Sequence, residues 1–572
     1  MMSFWGRWGR RAAAALSVLA VGACSTPGVG DKCQAQADCP SGLACVSGTC
    51  HACQDPSGNP AACVGVDLVT KSSDPAEDPL KSVAFLKFTI SGDAMTPISP
   101  TPVDVGAKST QLQSVPFGSN RRIEVEGLST SDPATWTVVS RGESAPFNVD
   151  AAHAVASQTI FLRQVDQFTE TSSRANPTVS DGLRVARAGE TMTRLNDGRV
   201  LIVGGYQPDG SGTVKYLDSV EIYDPRQGTF TEQSDKPCDQ AMSPVCPHLF
   251  LGRAFQTATL LDDGHVLIVG GEALINGQAT ALQETEVFDP TSNEFTVGPA
   301  MNVPRSHQAA VKVSDGTVLV MGGLCNGCKG VPPEQPTATT EYFDPQTYRF
   351  YDDSPAMPGG RMDEAGMRVQ QGAAEEVLAI GGSSDPQQGL STVDTFTYLS
   401  GTFRLDTPAP FALSVARAHP FAALLDAGLG ATGVLVAGAP DDGTGTSSNA
   451  WDWLEVTGND PGGLPAALLP AVRVGGCMAP FDGGLIVVGG SDASGSNLRH
   501  DADVYEFNTQ GKVENHLVGK QAGGLKSPRK NAACVTLADG SVLVAGGEDS
   551  ANNTHATIDA EIYEPPPYLP PN

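Results

Sequence analysis

Six of the Gly-Gly pairs in the C-terminal two thirds of this chain recur in one sequence context, at Gly204/Gly205, Gly270/Gly271, Gly322/Gly323, Gly381/Gly382, Gly489/Gly490 and Gly546/Gly547. Gly438/Ala439 holds a seventh position between the fourth and fifth pairs. Each pair ends an apolar run, as in 200–203, 266–269 and 542–545, and an arginine opens each unit: Arg187, Arg253, Arg305, Arg361, Arg417, Arg473 and Arg529. The last five arginines stand 56 residues apart, so the chain is a tandem repeat. In the clearest unit Arg253 leads a first strand, Asp263-Gly264 turns the chain, 266–269 is a second strand, 284–290 a third and 293–296 a fourth. Asp-Gly between apolar segments signals a hairpin, and glycine at a strand end permits left-handed backbone and close approach. Strands apolar on both faces must be packed between two neighbouring sheets, so the units must stack on one another.

Over residues 164–564 this pattern resembles the kelch repeat of bacterial and galactose-oxidase-like proteins. The resemblance implies an all-β fold with a seven-bladed β-propeller. The seventh unit runs into 565–572, a proline-rich tail, before a fourth strand can form, whereas Asp166-Gln-Phe-Thr169 carries the missing pattern ahead of the first unit. The N-terminal strand is therefore expected to complete the last blade. Third strands repeat an acid, Glu221, Glu286, Glu341, Asp394, Glu455, Asp503 and Glu561, in step with the arginines. Each arginine is expected to pair with the acid of its own unit, because a buried guanidinium needs carboxylate acceptors. The alternative is a ring of free cations around the channel.

The amino terminus carries an address. Residues 1–23 place Arg7, Arg10 and Arg11 ahead of an apolar run too short to span a bilayer, and end Val21-Gly22-Ala23 before Cys24. This resembles a bacterial lipoprotein signal, which implies lipidation of Cys24, cleavage before it, and, with Ser25 beside it, an outer-membrane location. Residues 24–32 read as a flexible tether. Cys33, Cys39, Cys45, Cys50, Cys53 and Cys63 crowd segment 33–63, too short and polar to build an apolar core, so disulfides are expected to hold it, with connectivity open. The thirteen cysteines leave twelve for bridges once Cys24 is given to lipid. Cys238 and Cys246 flank an insertion, and Cys325 and Cys328 form a loop clip. Cys477 and Cys534 hold equivalent places in neighbouring units, where a bridge between first strands is expected.

Residues 64–163 lack the glycine pairs and show short alternating runs such as 82–90, 122–126 and 159–162, which predict an antiparallel immunoglobulin-like β-sandwich serving as a spacer. A net charge of −28 argues against nucleic acid, whose phosphates demand a basic face. Galactose-oxidase-like copper chemistry needs two tyrosines, two histidines and a crosslinked cysteine, and the nine histidines here are scattered. His307 and His419, each two residues after a leading arginine, are expected to pack beside the first strand rather than bind metal. Asp262/Asp263 and Glu375/Glu376 read as solvated turn residues, the loop from Asp441 as an incomplete calcium site, and Trp451 and Trp453 as interblade packing or a sugar platform. No metal or cofactor is expected. The expectation for function is a lipid-anchored envelope protein whose propeller loops, longest after Gly205, Gly271 and Gly323, bind protein or glycan without catalysis. A carbohydrate-active enzyme and a structural envelope component are the alternatives.

Overall fold

The computed structural model describes residues 43–46, 49–52, 61–64, 66–70, 78–99, 102–105, 113–150, 158–208, 213–233, 245–325, 335–372, 374–385, 388–426, 432–440, 452–457, 473–492, 495–507, 513–518, 524–550 and 554–567. Among them every regular element is a strand. Cys24, Cys33, Cys39, Cys53, Cys238, Cys328, Asp441 and Trp451 lie outside the described residues. The chain divides into two compact units, one of residues 1–65, 111–119 and 148–157, the other of residues 66–110, 120–147 and 158–572.

In the smaller unit Leu43–Val46 and Thr49–Ala52 form a hairpin that sets Cys45 directly opposite Cys50, and Ala61–Val64 pairs with Gln113–Pro116. In the larger unit, Phe85–Ser91, Gly118–Leu128 and Val138–Glu143 form the middle of an antiparallel sheet. Val66–Val69 and Gln158–Phe161, however, run parallel. The expectation of a wholly antiparallel domain is corrected here: the first and last strands of this region lie side by side, and the long chain between them supplies the crossover that parallel pairing requires.

The repeats occupy the rest. In the first, Thr191–Arg194, Val200–Val203, Val220–Asp224 and Thr229–Glu232 pair in sequence order. The other repeats follow this order, with four local departures, one being that the fifth shows only three strands among the described residues. The second gains an outer strand, Val245–Cys246, and the fourth and fifth merge where Leu390 and Thr392 pair with Ala412–Asp426. In the seventh, Gln167–Glu170 pairs with Ala560–Glu564, so a segment preceding all the repeats completes the last sheet. The first strand of each repeat lies beside that of the next, and the seventh lies beside the first.

Apolar side chains of the second strands alternate between the two neighbours. Leu201 and Val203 pack toward the second repeat, whereas Val200 and Ile202 pack toward the seventh with Leu543 and Ile562. All four are wholly buried. Each such side chain stabilises the stack by roughly 1.5–3 kcal/mol. A further link is covalent, a disulfide between Cys477 and Cys534 on the first strands of the sixth and seventh repeats. Cys246 and Cys325 are also disulfide-bonded.

The seven arginines are buried, and each is held the same way. Its Nη1 donates to the carbonyl of the glycine that opens its own pair, Gly204, Gly270, Gly322, Gly381, Gly438, Gly489 or Gly546, at 2.7–3.3 Å. Carboxylates complete the set: Arg187 with Glu221, Arg253 with Glu286, Arg305 with Glu341, Arg417 with Asp452 and Arg473 with Asp503 at 2.5–3.0 Å, and Arg361 with Asp394 and Arg529 with Glu561. The same acids accept a backbone N–H three residues before the arginine in five repeats, from Arg184, Phe250, Asn302, Ser414 and Lys526. In every repeat the acid stands opposite the second residue before the opening glycine, as Glu221 faces Ile202 and Asp452 faces Val436.

Glu455 is therefore not the partner of Arg417. It lies three residues further along the strand from Asp452, on the opposite face, and is exposed. Asp452→Ala is expected to lower stability by about 3–5 kcal/mol, because it strands a buried guanidinium. Glu455→Ala is expected to stay within about 0.5 kcal/mol. Denaturant unfolding followed by tryptophan fluorescence compares the two.

Candidate functional site

The second and third residues after each arginine converge at one end of the repeats. Six of the seven residues at the second position have left-handed backbone: Gly189, Phe255, His307, Asp363, Gly475 and Asn531, with φ between 54° and 64°. For phenylalanine, histidine, aspartate and asparagine this is a strained conformation, costing of the order of 1–3 kcal/mol each. Backbone hydrogen bonds hold them there. Gly189 N–H donates to Asn531, Phe255 to Gly189, His307 to Phe255, Asp363 to His307 and Asn531 to Gly475, at 2.6–3.4 Å. Strain at these positions is balanced by a belt of backbone pairing around a common centre.

The belt encloses a cavity of about 570 Å³. His307 Nδ1 and Asp363 Oδ1 are 2.7 Å apart, and His419 Nδ1 lies 3.5 Å from Asp363 Oδ2, so one carboxylate serves two imidazoles. Burial alone would push the His307 pKa down, but the Asp363 carboxylate outweighs it and the net shift is upward. Burial raises the Asp363 carboxyl while His307 lowers it, with a net fall. Phe255 is stacked on His307 with ring centres 4.1 Å apart, and its other neighbour is Tyr206 at 5.4 Å. Across the cavity the Tyr206 hydroxyl bonds to Glu548, and Asn531 Nδ2 donates to both.

The floor is made by the third residue after the arginine. In the second and third repeats this is Gln256 and Gln308, each 4–6% exposed, whose Nε2 donates to the carbonyl of Val203 or Val269 at 2.8 Å. The amide sits over the first glycine of the preceding sheet, which has no side chain to meet it. In the first and fourth repeats the position is taken by Glu190 and Glu364, and their carboxyl oxygens stand over Gly546 and Gly322 in the same way. No side-chain oxygen of either meets a donor at full hydrogen-bonding geometry, although backbone N–H groups lie near. Burial drives both up to about 8, against the opposing pull of backbone N–H groups and of Arg187 or Arg361. A neutral carboxyl group has the O–H that a carboxylate lacks, and so can replace the glutamine N–H.

Of the residues singled out from sequence, the seven arginines lie in the sheets behind the cavity rather than at it. His307 and His419 do line it, alongside Asp363. Glu375 and Glu376 are not turn residues: both are buried within Ala374–Ile380, where Glu375 accepts the Ser314 N–H and hydroxyl. Trp453 packs against the core between the fifth and sixth repeats. Phe255, Asp363, Asn531, Glu190 and Glu364 were missed, although their constant offset from the arginines was a readable signal.

The folded protein keeps a proton on Glu190 and Glu364 up to about pH 8, whereas the unfolded chain releases it near the ordinary 4.5. The stability they contribute is complete below about 4.5 and is lost as pH rises through about 8. Glu190→Gln and Glu364→Gln are each expected to leave the melting temperature unchanged at about pH 4. At pH 9 each is expected to stabilise the protein by on the order of 1–3 kcal/mol. Thermal melts across this range check it.

Residues 196–237 match the family model described as Kelch motif. No curated protein matches the chain. Among solved structures, the chain is similar to one titled "Structure of YjhT", at 13% identity and a TM-score of 0.38, over 66% of this chain and 95% of that one. The matched residues run from the turn before Val200–Val203 through Val220–Asp224 and Thr229–Glu232, so the match covers the second to fourth strands of the first repeat.

Proposed function

We propose that residues 164–564 form a closed seven-bladed kelch β-propeller serving as a non-catalytic binding module for glycan or protein, with the cavity at its end as the ligand seat. Closure is supported by the contact between the first strands of the first and seventh repeats and by the pairing of Gln167–Glu170 with Ala560–Glu564. The observation that carries the binding reading is the belt of left-handed residues. Phenylalanine, histidine, aspartate and asparagine held at φ near 55° around one cavity represent strain concentrated where side chains must point inward. Hairpins Tyr206–Pro208/Val214–Tyr216 and Glu272–Ile275/Gln278–Ala281 continue directly from the glycine pairs beside the cavity and extend the surface available to a larger ligand.

The same proposal places the module on the bacterial outer membrane through lipid on Cys24, with the cysteine-rich segment and the β-domain as its stalk. Replacing Cys24 by Ser is expected to move the exported protein from the detergent phase to the aqueous phase on phase partitioning.

Phe255→Gly tests the ligand seat, because it removes the ring while relieving the left-handed strain. A glycan array and affinity capture from envelope extracts identify the ligand of the parent protein. Phe255→Gly is expected to melt within a few degrees of the parent and to bind that ligand at least tenfold more weakly. Unchanged binding would overturn the assignment of the cavity.

A further inference from the structure

The segment that completes the seventh repeat does not arrive as a free end. Arg163–Gln164 pairs with Val138–Glu143 in the sheet that precedes the repeats, and after Val165 and Asp166 the chain pairs again, as Gln167–Glu170 against Ala560–Glu564. Asp166 donates its N–H to the Glu564 carbonyl at 2.8 Å and accepts the Tyr563 hydroxyl at 3.0 Å. The closing strand is thus held at its start by the β-domain.

That domain touches both repeats that meet there. On the seventh, Arg141 Nη1 lies 3.5 Å from Glu564 Oε1 and Arg163 Nη1 lies 3.5 Å from Oε2, while Arg122 Nη1 donates to the Ala538 carbonyl at 2.9 Å. On the first, Phe161 covers Gly228 so closely that a Cβ there would come within 2.9 Å of its ring. The Arg163 guanidinium lies over the same ring, 5.3 Å from its centre, which joins the two contacts. A space of only about 20 Å³, room for a single water, remains among Val69, Phe161 and Arg163 of the domain, Tyr223 of the first repeat and Ile562 of the seventh.

Glu564 departs from its counterparts in the other repeats. Three residues beyond the acid that holds the arginine, the first three repeats carry Asp224, Asp289 and Asp344, each accepting the backbone N–H two residues on at 2.8–2.9 Å and shaping the turn into the fourth strand. The seventh repeat takes its fourth strand from elsewhere and has no such turn to make. Its residue is a longer acid, 1% exposed, whose ion pairs among the described residues are with Arg141 and Arg163 of the β-domain. Burial pushes this carboxyl up to about 8 against the pull of both arginines, so losing them leaves the group worse placed.

We infer that the β-domain is a clamp across this junction, with Phe161 bearing on the first repeat and Arg141 and Arg163 gripping Glu564 on the seventh, and that the junction loosens when the domain is unseated. The inference rests on the repeats forming a closed ring, and it gives a domain of the stalk a second task. The belt bond from Gly189 N–H to Asn531 crosses the same junction, so the clamp also holds one side of the cavity.

Hydrogen exchange of the full exported protein reads the clamp strand by strand. Arg141→Ala with Arg163→Ala is expected to quicken exchange by about tenfold or more in 191–203 and 533–545, on the two sides of the junction, and to leave 309–321 in the third repeat at the parent rate. Phe161→Ala keeps every charge and is expected to give the same pattern, which decides the matter if the double variant does not fold. The Cys477–Cys534 bridge shows where a crosslink fits between first strands, and the equivalent positions across this junction are Ala533 and Met192. Adding Ala533→Cys with Met192→Cys to the double variant is expected to return 191–203 and 533–545 to the parent rate while 122–128 and 138–143 in the β-domain stay fast. In the double variant or Phe161→Ala, faster exchange confined to the β-domain, or equal in all the repeats, would overturn the clamp. Unprotected first strands at this junction in the parent protein would overturn the closed ring itself.

Discussion

A guanidinium buried between sheets is tolerable only when nearly every donor is matched, and this requirement organises the repeats. Each arginine reaches the carbonyl of its own Gly-Gly pair and a carboxylate on its own third strand, so one side chain ties together three segments of a repeat. That carboxylate also accepts a backbone N–H three residues ahead of the arginine in five repeats, which fixes the chain as it enters each sheet. Apolar packing between second strands supplies most of the attraction. The ion pairs determine register: removing one partner is strongly destabilising, whereas the intact pair adds little beyond what a well-packed apolar substitute would give.

The cavity is a product of the same scaffold. Because the arginine is immobilised, the two residues after it are delivered to the same place in each repeat, and the chain must turn through left-handed backbone to enter the first strand. Repetition thus generates a set of equivalent inward positions whose side chains are free to differ. Gly189, Phe255, His307, Asp363, His419, Gly475 and Asn531 share a location and almost nothing else. Specificity on a symmetric frame comes from such divergence, and the His307–Asp363–His419 cluster can form only because adjacent repeats carry complementary residues.

Much of the fold was legible in the sequence because glycine pairs, arginines and apolar runs recur at fixed offsets, and local patterns of that kind survive in any context. The partner of Arg417 was not. The fifth repeat has lost its second glycine, and its third strand carries two acids, Asp452 and Glu455, between which only the register decides, by putting Asp452 opposite Val436. Glu375 and Glu376 looked like turn residues because they follow Gly372, but the hairpin closes earlier and carries both into a buried strand. The cavity was hidden for a different reason. Its residues are dissimilar, so only their constant offset from the arginines marks them, and their burial depends on packing across repeats that a single unit does not display.

The disulfide between Cys477 and Cys534 joins the strands that begin just after Val474 and Lys530. Elsewhere around the belt, neighbouring repeats are held by side-chain packing and by hydrogen bonds between backbones. Between the sixth and seventh a covalent crossbar sets the gap, so Val474 and Lys530 stand on the side of the cavity least able to widen.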